Sequence, residues 1–257
     1  MVAATPLHQS DPTAEVRRDL AAAYRLVARF DMDDSIYTHI SARLPGPEHH
    51  FLLNAFGQRF DEVTPASLVT VDMEGNVLDD PTGLGINPAG FTIHSAVHAV
   101  RDDVVCVLHT HTVAGIAVAT MECGLLPLNQ WSLQFHNRLA YHDYESIALD
   151  LDERQRIQAD LGDKSALILR NHGLLTAGRT VGEAFALMHN LERSCKVQVA
   201  VLSSGQRAIP VDETVAEKTA SIYEAAYEKM AAGELEMREW AAFLRLLDRE
   251  QPGWDAH

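Results

Sequence analysis

The amino-acid sequence predicts one α/β domain followed by helices. Its 257 residues fall within the length of a single large α/β core. Apolar residues recur every three or four positions over residues 15–30 and 182–204, as on the buried face of an amphipathic helix. Residues 104–108 and 166–169 are short continuous apolar runs, typical of strands that are covered on both faces. These patterns together predict helices packed on a buried sheet.

The chain divides into three predicted segments. Residues 1–13 are polar and contain two prolines, which indicates a flexible leader. A single domain is predicted over residues 14–208. Residues 209–257 are helical in pattern with an interruption near Gly233, and we expect this extension to pack on the domain or on a neighbouring subunit.

Shorter elements are predicted between the long helices. Short apolar runs followed by turn residues indicate strands of a meander. These strands are predicted over residues 36–41, 50–54 and 68–72. Further helices are predicted from Pro88, where proline suits a first helical turn, and over residues 113–123 and 153–161. Residues 127–144 are expected to be irregular.

The charge balance excludes several classes of partner. With 36 acidic residues against 21 lysines and arginines, the formal net charge is −15. No basic stripe is available for nucleic acid or for an anionic membrane surface, so neither partner is expected. The N-terminal residues do not resemble a secretory signal, and we expect a cytoplasmic protein. Cys106, Cys123 and Cys195 cannot all pair and are predicted to be buried thiols.

Three histidines lie at the ends of the two buried apolar runs. His109 and His111 follow the first run, and side chains two residues apart on a strand point to the same face. His172 follows the second run. Neutral imidazole is the commonest transition-metal ligand, so the three residues predict a metal site with positions left for water or substrate.

A His-x-His pair alone is weak support, because most such pairs are surface histidines. Two features favour a metal site here. Each histidine lies at the carboxyl end of an apolar strand, where open α/β sheets place their ligands. Gly173, beside His172, allows another part of the backbone to approach closely.

These residues resemble the metal-binding signature of the class II aldolase and adducin family, represented by L-fuculose-phosphate aldolase. The signature is His109-Thr110-His111 followed by residues 170–173, RNHG. The resemblance covers roughly residues 15–204 and is closest to the adducin-like branch. Its other shared runs are residues 36–40 (IYTHI), 57–71, 89–95 (AGFTIHS), 123–127 (CGLLP) and 140–144 (AYHDY).

The resemblance implies an α/β/α sandwich around a mixed, mainly antiparallel central sheet. It also implies a homo-oligomer, commonly a tetramer, with sites between subunits. In the aldolases of this family a zinc ion polarises the carbonyl of a sugar phosphate, and a nearby glutamate moves the proton. The three histidines of this chain match the metal ligands of those enzymes.

The rest of that machinery is changed in this sequence. The position of the catalytic glutamate is Gly90, and the phosphate-binding asparagine is replaced by His39. The remaining phosphate-binding positions carry Phe56, Pro88 and Ala89, which supply no charge and no hydroxyl group. The sequence therefore predicts a small-molecule substrate other than a sugar phosphate.

Several polar residues are candidates for the new lining of the site. The candidate catalytic residues are His94, Tyr141 and His142, and the candidate substrate-binding residues are His39, Gly57, Gly90, Gln130 and His136. Each also has a structural interpretation: His94 suits a hydrogen-bonding role on its helix, and Tyr141 suits an interface.

Three functions are consistent with this sequence. The first is a lyase that cleaves or decarboxylates a hydroxy or keto acid with a divalent metal, zinc being expected and manganese or ferrous iron being alternatives. The second is a non-haem iron oxygenase of secondary metabolism, because aldolase-like proteins of aminocoumarin pathways resemble this chain. The third is a non-catalytic scaffold like animal adducins, which is less favoured because adducins do not generally keep both histidines of the pair.

Overall fold

The computed structural model describes residues 12–146 and 152–256, and eight α-helices, two single-turn 3-10 helices and eight strands lie within them. The strands are β1 (His39–Arg43), β2 (Phe51–Leu53), β3 (Val69–Val71), β4 (Val77–Asp79), β5 (Cys106–Thr110), β6 (Leu139–His142), β7 (Ala166–Leu169) and β8 (Gly173–Gly178). The helices are α1 (Pro12–Arg29), α2 (Pro88–His98), α3 (Val113–Ala119), α4 (Gln130–Leu133), α5 (Glu153–Leu161), α6 (Val181–Ser203), α7 (Glu213–Ala231) and α8 (Arg238–Glu250).

All eight strands form one sheet in the order β4-β3-β2-β1-β5-β8-β7-β6. Every neighbouring pair is antiparallel except β6 and β7, which are parallel. Side chains alternate between the two faces of each strand. Val107 therefore packs with α2 and α5 on one face, and Leu108 packs with α1 and α6 on the other. The predicted α/β/α sandwich with a mixed, mainly antiparallel sheet is confirmed.

The direction of three strands decides where the candidate site lies. Since β5 and β7 are both antiparallel to β8, they run in the same direction, and β6 runs parallel to β7. The carboxyl ends of β5, β6 and β7 consequently share one edge of the sheet. His111, His142 and His172 lie at or just beyond these three ends.

Most of the predicted elements are present. The helix over residues 153–161 and the strand over residues 166–169 have the predicted bounds. α2 begins at Pro88, where the side chain of Asn87 accepts a hydrogen bond from the backbone N–H of Ala89 at 3.1 Å. β5 extends through Thr110, so His109 lies inside the strand and not beyond its end.

Some predictions at the element level are wrong. Residues 127–144 are not irregular, because they contain α4 and the edge strand β6. β4 and β8 were not predicted; β8 begins and ends with glycine, which weakens the strand pattern. α1 begins at Pro12, inside the predicted leader, and residues 1–11 lie outside the described residues. Cys123 is exposed, whereas Cys106 and Cys195 are buried as expected.

The two C-terminal helices contact the rest of the chain. α7 lies against α4, and α8 lies against α1 and α6. Trp240, Leu247 and Trp254 bury their side chains in this region and join the main hydrophobic core. No helix in the described ranges has the length and apolar character needed to cross a membrane.

Candidate metal centre

The structure brings His109, His111 and His172 together at the edge of the sheet. One ring nitrogen from each of them lies within 4.8 Å of the others. The Nε2 atoms of His109 and His111 are 2.8 Å apart, and the ring of His172 is centred 4.8 Å from each of the other two rings. Among the described residues this is the one cluster of three or more side chains with metal-ligand spacing.

A tight turn after β7 positions His172. Leu169 is the last residue of β7, and the N–H of His172 donates to its carbonyl at 3.1 Å, which forms a tight turn. Asn171 occupies the left-handed region in this turn with φ 57°. The chain then returns immediately as β8, whose pairing with β5 places His172 beside His109.

The orientation of two rings fits metal ligation. Nδ1 of His109 lies 2.9 Å from the carbonyl oxygen of Leu174 and donates to it, which leaves the Nε2 lone pair for a ligand. Nδ1 of His111 lies 2.9 Å from Oδ2 of Asp34 and donates to that carboxylate. Histidine ligands in proteins commonly donate their second N–H to a carbonyl or carboxylate in this way. The donor set therefore fits a divalent transition metal.

The electrostatics of the cluster favour neutral imidazoles. Burial, followed by the proximity of His172, holds the pKa of His109 well below its ordinary value. Burial and then the neighbouring His111 lower the pKa of His172 to about 4. A neutral imidazole is the form that ligates a metal, so His109 and His172 are in the required state at neutral pH.

Asp34 gives a first testable prediction. Replacing it by alanine removes the carboxylate that orients His111, and we expect metal affinity to fall about 10- to 100-fold. Competition with a chromophoric chelator measures this change. The matched control is Asp61→Ala, since Asp61 is an exposed aspartate that pairs with Arg59 and should leave metal affinity unchanged. Equal affinities for the Asp34 variant and the wild type would contradict the role of Asp34.

A series of buried polar side chains extends from this cluster along the face of the sheet that α2 covers. His39 on β1 lies opposite His109 on β5, with ring centres 5.2 Å apart. Its Nδ1 is 2.7 Å from Nε2 of His94, which α2 contributes. Oγ of Ser41 then lies 2.6 Å from Nδ1 of His94 and 2.8 Å from Nε2 of His98. All four side chains are buried, and together they fix the orientation of His39.

Gly90 makes room for His39. A Cβ atom at position 90 would lie 2.4 Å from Cδ2 and 2.9 Å from Nε2 of the His39 ring. The imidazole therefore occupies the space that a side chain at position 90 would need. Any larger residue at this position has to displace His39.

The comparison with known proteins places this arrangement in a family. The model of the class II aldolase and adducin N-terminal domain matches residues 18–199. The chain belongs to the class II aldolase and adducin family. The resemblance seen in the sequence is thereby confirmed.

Members of the class II aldolase and adducin family resemble the chain over most of its length. The crystal structure of an aldolase II superfamily protein from Pseudomonas syringae has a TM-score of 0.87 and 52% identity, over 93% of this chain and 94% of that one. L-fuculose 1-phosphate aldolase from Glaciozyma antarctica has a TM-score of 0.81 and 30% identity, over 96% of both chains. Alpha-adducin of Rattus norvegicus is 48% identical over 191 residues, which are 74% of this chain and 26% of adducin.

Some of the remaining candidate residues from the sequence lie near the histidine cluster, and others do not. His94 lies behind His39, and His142 lies at the end of β6 on the same sheet edge as His172. Gly57, with φ 112°, lies in the loop after β2, where an added Cβ would meet only Leu84. The structure thus groups His39, Gly90 and His94 around the cluster but does not place Gly57 against it.

Three candidates lie away from the histidine cluster within this chain, and their roles at a site stay predictions. Tyr141 pairs with Ile168, so its ring is on the sheet face opposite His109, and its hydroxyl accepts the N–H of Leu125 at 3.0 Å. Gln130 is exposed and its amide donates to the hydroxyl of Tyr223 at 3.4 Å. His136 lines a separate cavity of about 230 Å³ together with Tyr141.

Sequence reasoning missed Asp34, Ser41 and His98. Asp34 is 77 residues from His111, and no local pattern connects the two. Ser41 and His98 do carry a signal, although a weak one. Ser41 is two residues after His39 on a strand, and His98 is four residues after His94 on a helix, so each shares a face with a candidate residue.

His98 gives a prediction about acid stability. Burial and then the nearby Arg43 lower the pKa of His98 from 6.5 to about 3. Unfolding therefore takes up a proton below pH 6.5, and stability present above pH 6.5 is lost as the pH falls from 6.5 toward 3. Between pH 7 and pH 5 we expect His98 to account for about 2 kcal/mol of this loss.

Urea unfolding of metal-free protein at the two pH values tests this expectation. His98→Gln keeps a hydrogen-bonding group near Ser41 but cannot take up the proton, so its stability should depend less on pH. The exposed His49 supplies the matched control, His49→Gln, which should keep the wild-type dependence. An unchanged dependence in His98→Gln would show that His98 does not contribute to acid unfolding.

Proposed function

We propose that this protein is a divalent-metal-dependent lyase that cleaves or decarboxylates a hydroxy or keto acid. One observation carries the proposal: the imidazoles of His109, His111 and His172 meet within 4.8 Å of one another. Two of them have their second nitrogen committed to Leu174 and Asp34, as metal ligands require. Membership of the class II aldolase and adducin family is consistent with this chemistry.

The three histidines would hold the metal through ring nitrogens, with zinc expected for a neutral nitrogen set and manganese or ferrous iron as alternatives. A divalent ion bound there polarises a substrate oxygen and so stabilises negative charge that develops beside it. Asp34 and the carbonyl of Leu174 keep the rings of His111 and His109 from turning away.

His39 is the residue that we propose for contact with the substrate. Its Nδ1 is engaged with His94, so Nε2 is the nitrogen that remains to bind a substrate oxygen or hold a proton. The ring lies against His109 and over Gly90, where the aldolases that the chain resembles carry a glutamate. His94, Ser41 and His98 orient His39. Any effect of His94 on the substrate is therefore exerted through His39.

The surroundings of the cluster support an organic acid as the substrate class. Among the described residues, the hydrogen bonds and ring contacts that link the three histidines to other side chains are with His39, Asp34 and Tyr144, none of which is a lysine or an arginine. A phosphate dianion is usually bound by cations and several hydrogen-bond donors. A hydroxy or keto carboxylate needs fewer donors, because the metal itself can take up its negative charge.

Metal analysis and an activity screen test the proposal. The protein, purified without oxygen, should carry one equivalent of zinc or manganese per chain at the three histidines. It should also cleave members of a panel of 4-hydroxy-2-oxo acids to an aldehyde and a 2-oxo acid, or release carbon dioxide from 3-oxo acids, under nitrogen and with sugar phosphates as the comparison. Stoichiometric iron with oxygen-dependent turnover would favour the oxygenase instead. A folded protein that takes up no metal would favour a scaffold, as the similarity to adducin allows.

The assembly is part of the same proposal. We propose a homo-oligomer, with a tetramer expected from the family, and α7 and α8 packed on the domain or a neighbouring subunit. Light scattering of the purified protein measures the size, and a monomer at micromolar concentration would contradict the proposal.

A further inference from the structure

One nitrogen of His142 is buried and makes no hydrogen bond to the described part of the chain. The residue is 3% exposed and lies at the carboxyl end of β6. Its Nδ1 is 2.7 Å from Oδ2 of Asp160 on α5 and donates to that carboxylate. The Nε2 atom is buried and has no hydrogen-bond partner among residues 12–146 and 152–256. Buried polar atoms in proteins are nearly always satisfied, so this nitrogen needs an explanation.

Glu153 faces this nitrogen. It is the first residue of α5, it is 6% exposed, and its Oε1 lies 3.6 Å from Nε2 of His142. This separation is too long for a hydrogen bond between nitrogen and oxygen, which spans about 2.7–3.2 Å. It is close to the separation of two ligand atoms on one metal ion, about 3.4 Å for bonds of about 2.1 Å at a tetrahedral angle.

The arrangement repeats a feature of the three-histidine cluster. There, Asp34 accepts the Nδ1 hydrogen of His111 and leaves its Nε2 free for the metal. At His142 the carboxylate of Asp160 does the same. A doubly protonated His142 between two carboxylates is the competing explanation. It would draw Oε1 of Glu153 into a short, charge-assisted hydrogen bond of about 2.7–2.9 Å, which is shorter than the distance observed.

We propose that His142 and Glu153 form a second divalent-cation site. Nε2 of His142 and Oε1 of Glu153 are its protein ligands, Asp160 orients the imidazole, and water completes the coordination. A mixed nitrogen and oxygen pair suits zinc or a similar transition-metal cation. The bound ion would join the end of β6 to the start of α5, on the sheet edge that also carries His172. The site is independent of the lyase proposal.

Calorimetric titration of the metal-free full chain with Zn²⁺ tests this site. We expect the wild type to bind one equivalent more than either Glu153→Gln or His142→Gln. His109→Ala should lose a different equivalent, so that Glu153→Gln combined with His109→Ala loses both. The matched control is Glu145→Gln, because Glu145 is a nearby carboxylate paired with Arg156 outside the proposed ligand set. It should bind as many equivalents as the wild type.

Asp160→Asn separates ligand orientation from simple packing. In this variant we expect Zn²⁺ to bind about 10- to 100-fold more weakly at His142 and Glu153. Its affinity for the three histidines should not change. Nitrogen NMR of the imidazoles gives a second readout, since Zn²⁺ should shift Nε2 of His142 and leave its Nδ1 protonated. Should His142→Gln fail to fold, Glu153→Gln provides the same comparison.

Two results would overturn the second site. One is a wild type that binds the same number of equivalents as Glu153→Gln. The other is an imidazole of His142 that carries protons on both nitrogens and does not respond to Zn²⁺. A wild type that binds Zn²⁺ at His142 and Glu153 but not at the three histidines would contradict the proposed function and leave the second site standing.

Discussion

His109→Ala is expected to abolish stoichiometric metal binding at the three-histidine cluster while the protein stays folded. The ring nitrogen of His109 lies at the centre of the cluster, 2.8 Å from Nε2 of His111, and its ring is in contact with His172. Loss of one of three ligands should weaken binding more than the loss of an orienting carboxylate, which costs about 10- to 100-fold. We therefore expect a decrease of more than about 100-fold and no measurable turnover. His172→Ala should behave in the same way.

Metal content after gel filtration and chelator competition measure this effect, and circular dichroism checks the fold. The matched control is His136→Ala, which removes an imidazole that lies away from the cluster beside Tyr141. This variant should keep its metal. Retention of wild-type metal affinity in both His109→Ala and His172→Ala would show that the three imidazoles do not form the metal site.

Gly173→Ala is expected to destabilise both the sheet and the site. A Cβ atom at this position would lie 2.3 Å from the backbone carbonyl oxygen of Thr110 and 3.2–3.3 Å from the rings of His111 and His109. The carbonyl belongs to β5 and cannot move without disturbing the pairing of β5 with β8. We expect the unfolding free energy to fall by about 3 kcal/mol, at the upper end for overpacking of a buried position.

The same substitution should weaken metal binding, because the added methyl group pushes against two of the ligands. Urea denaturation of metal-free protein measures the loss of stability, and chelator competition measures the loss of metal affinity. Gly205→Ala is the matched control: no atom lies within 4 Å of its Cβ position, and its positive φ of 69° costs only about 1 kcal/mol. A Gly173→Ala protein as stable as the wild type would show that β5 can yield at Thr110.

Local sequence patterns predicted the elements that carry the site. The apolar run over residues 166–169 corresponds to β7, and the run over residues 104–108 predicted most of β5. The spacing of His109 and His111, and the position of His172 after a strand, indicated three side chains that could meet. These predictions depend on residues close together in the chain, whose periodicity reflects which side of an element is buried.

The residues that orient those ligands were beyond prediction, because their partners are far apart in sequence. Asp34 meets His111 across 77 residues and the carbonyl of Leu174 meets His109 across 65 residues, and both contacts depend on strand order. Tyr141 shows the limit most plainly. The sequence offered Tyr141 and His142 together as candidate catalytic residues, yet β6 directs Tyr141 to one face of the sheet and His142 to the other.

The amino-acid pattern alone thus determined the kinds of element, the boundaries of several of them and the three imidazoles of the candidate metal centre. Only the folded arrangement decided that β8 lies between β5 and β7, that His39 fills the space above Gly90, and that His142 faces Glu153. The physical reason is that burial along one strand or helix is a local property. Which strands become neighbours depends on the packing of the whole domain, and that choice places distant side chains within bonding distance.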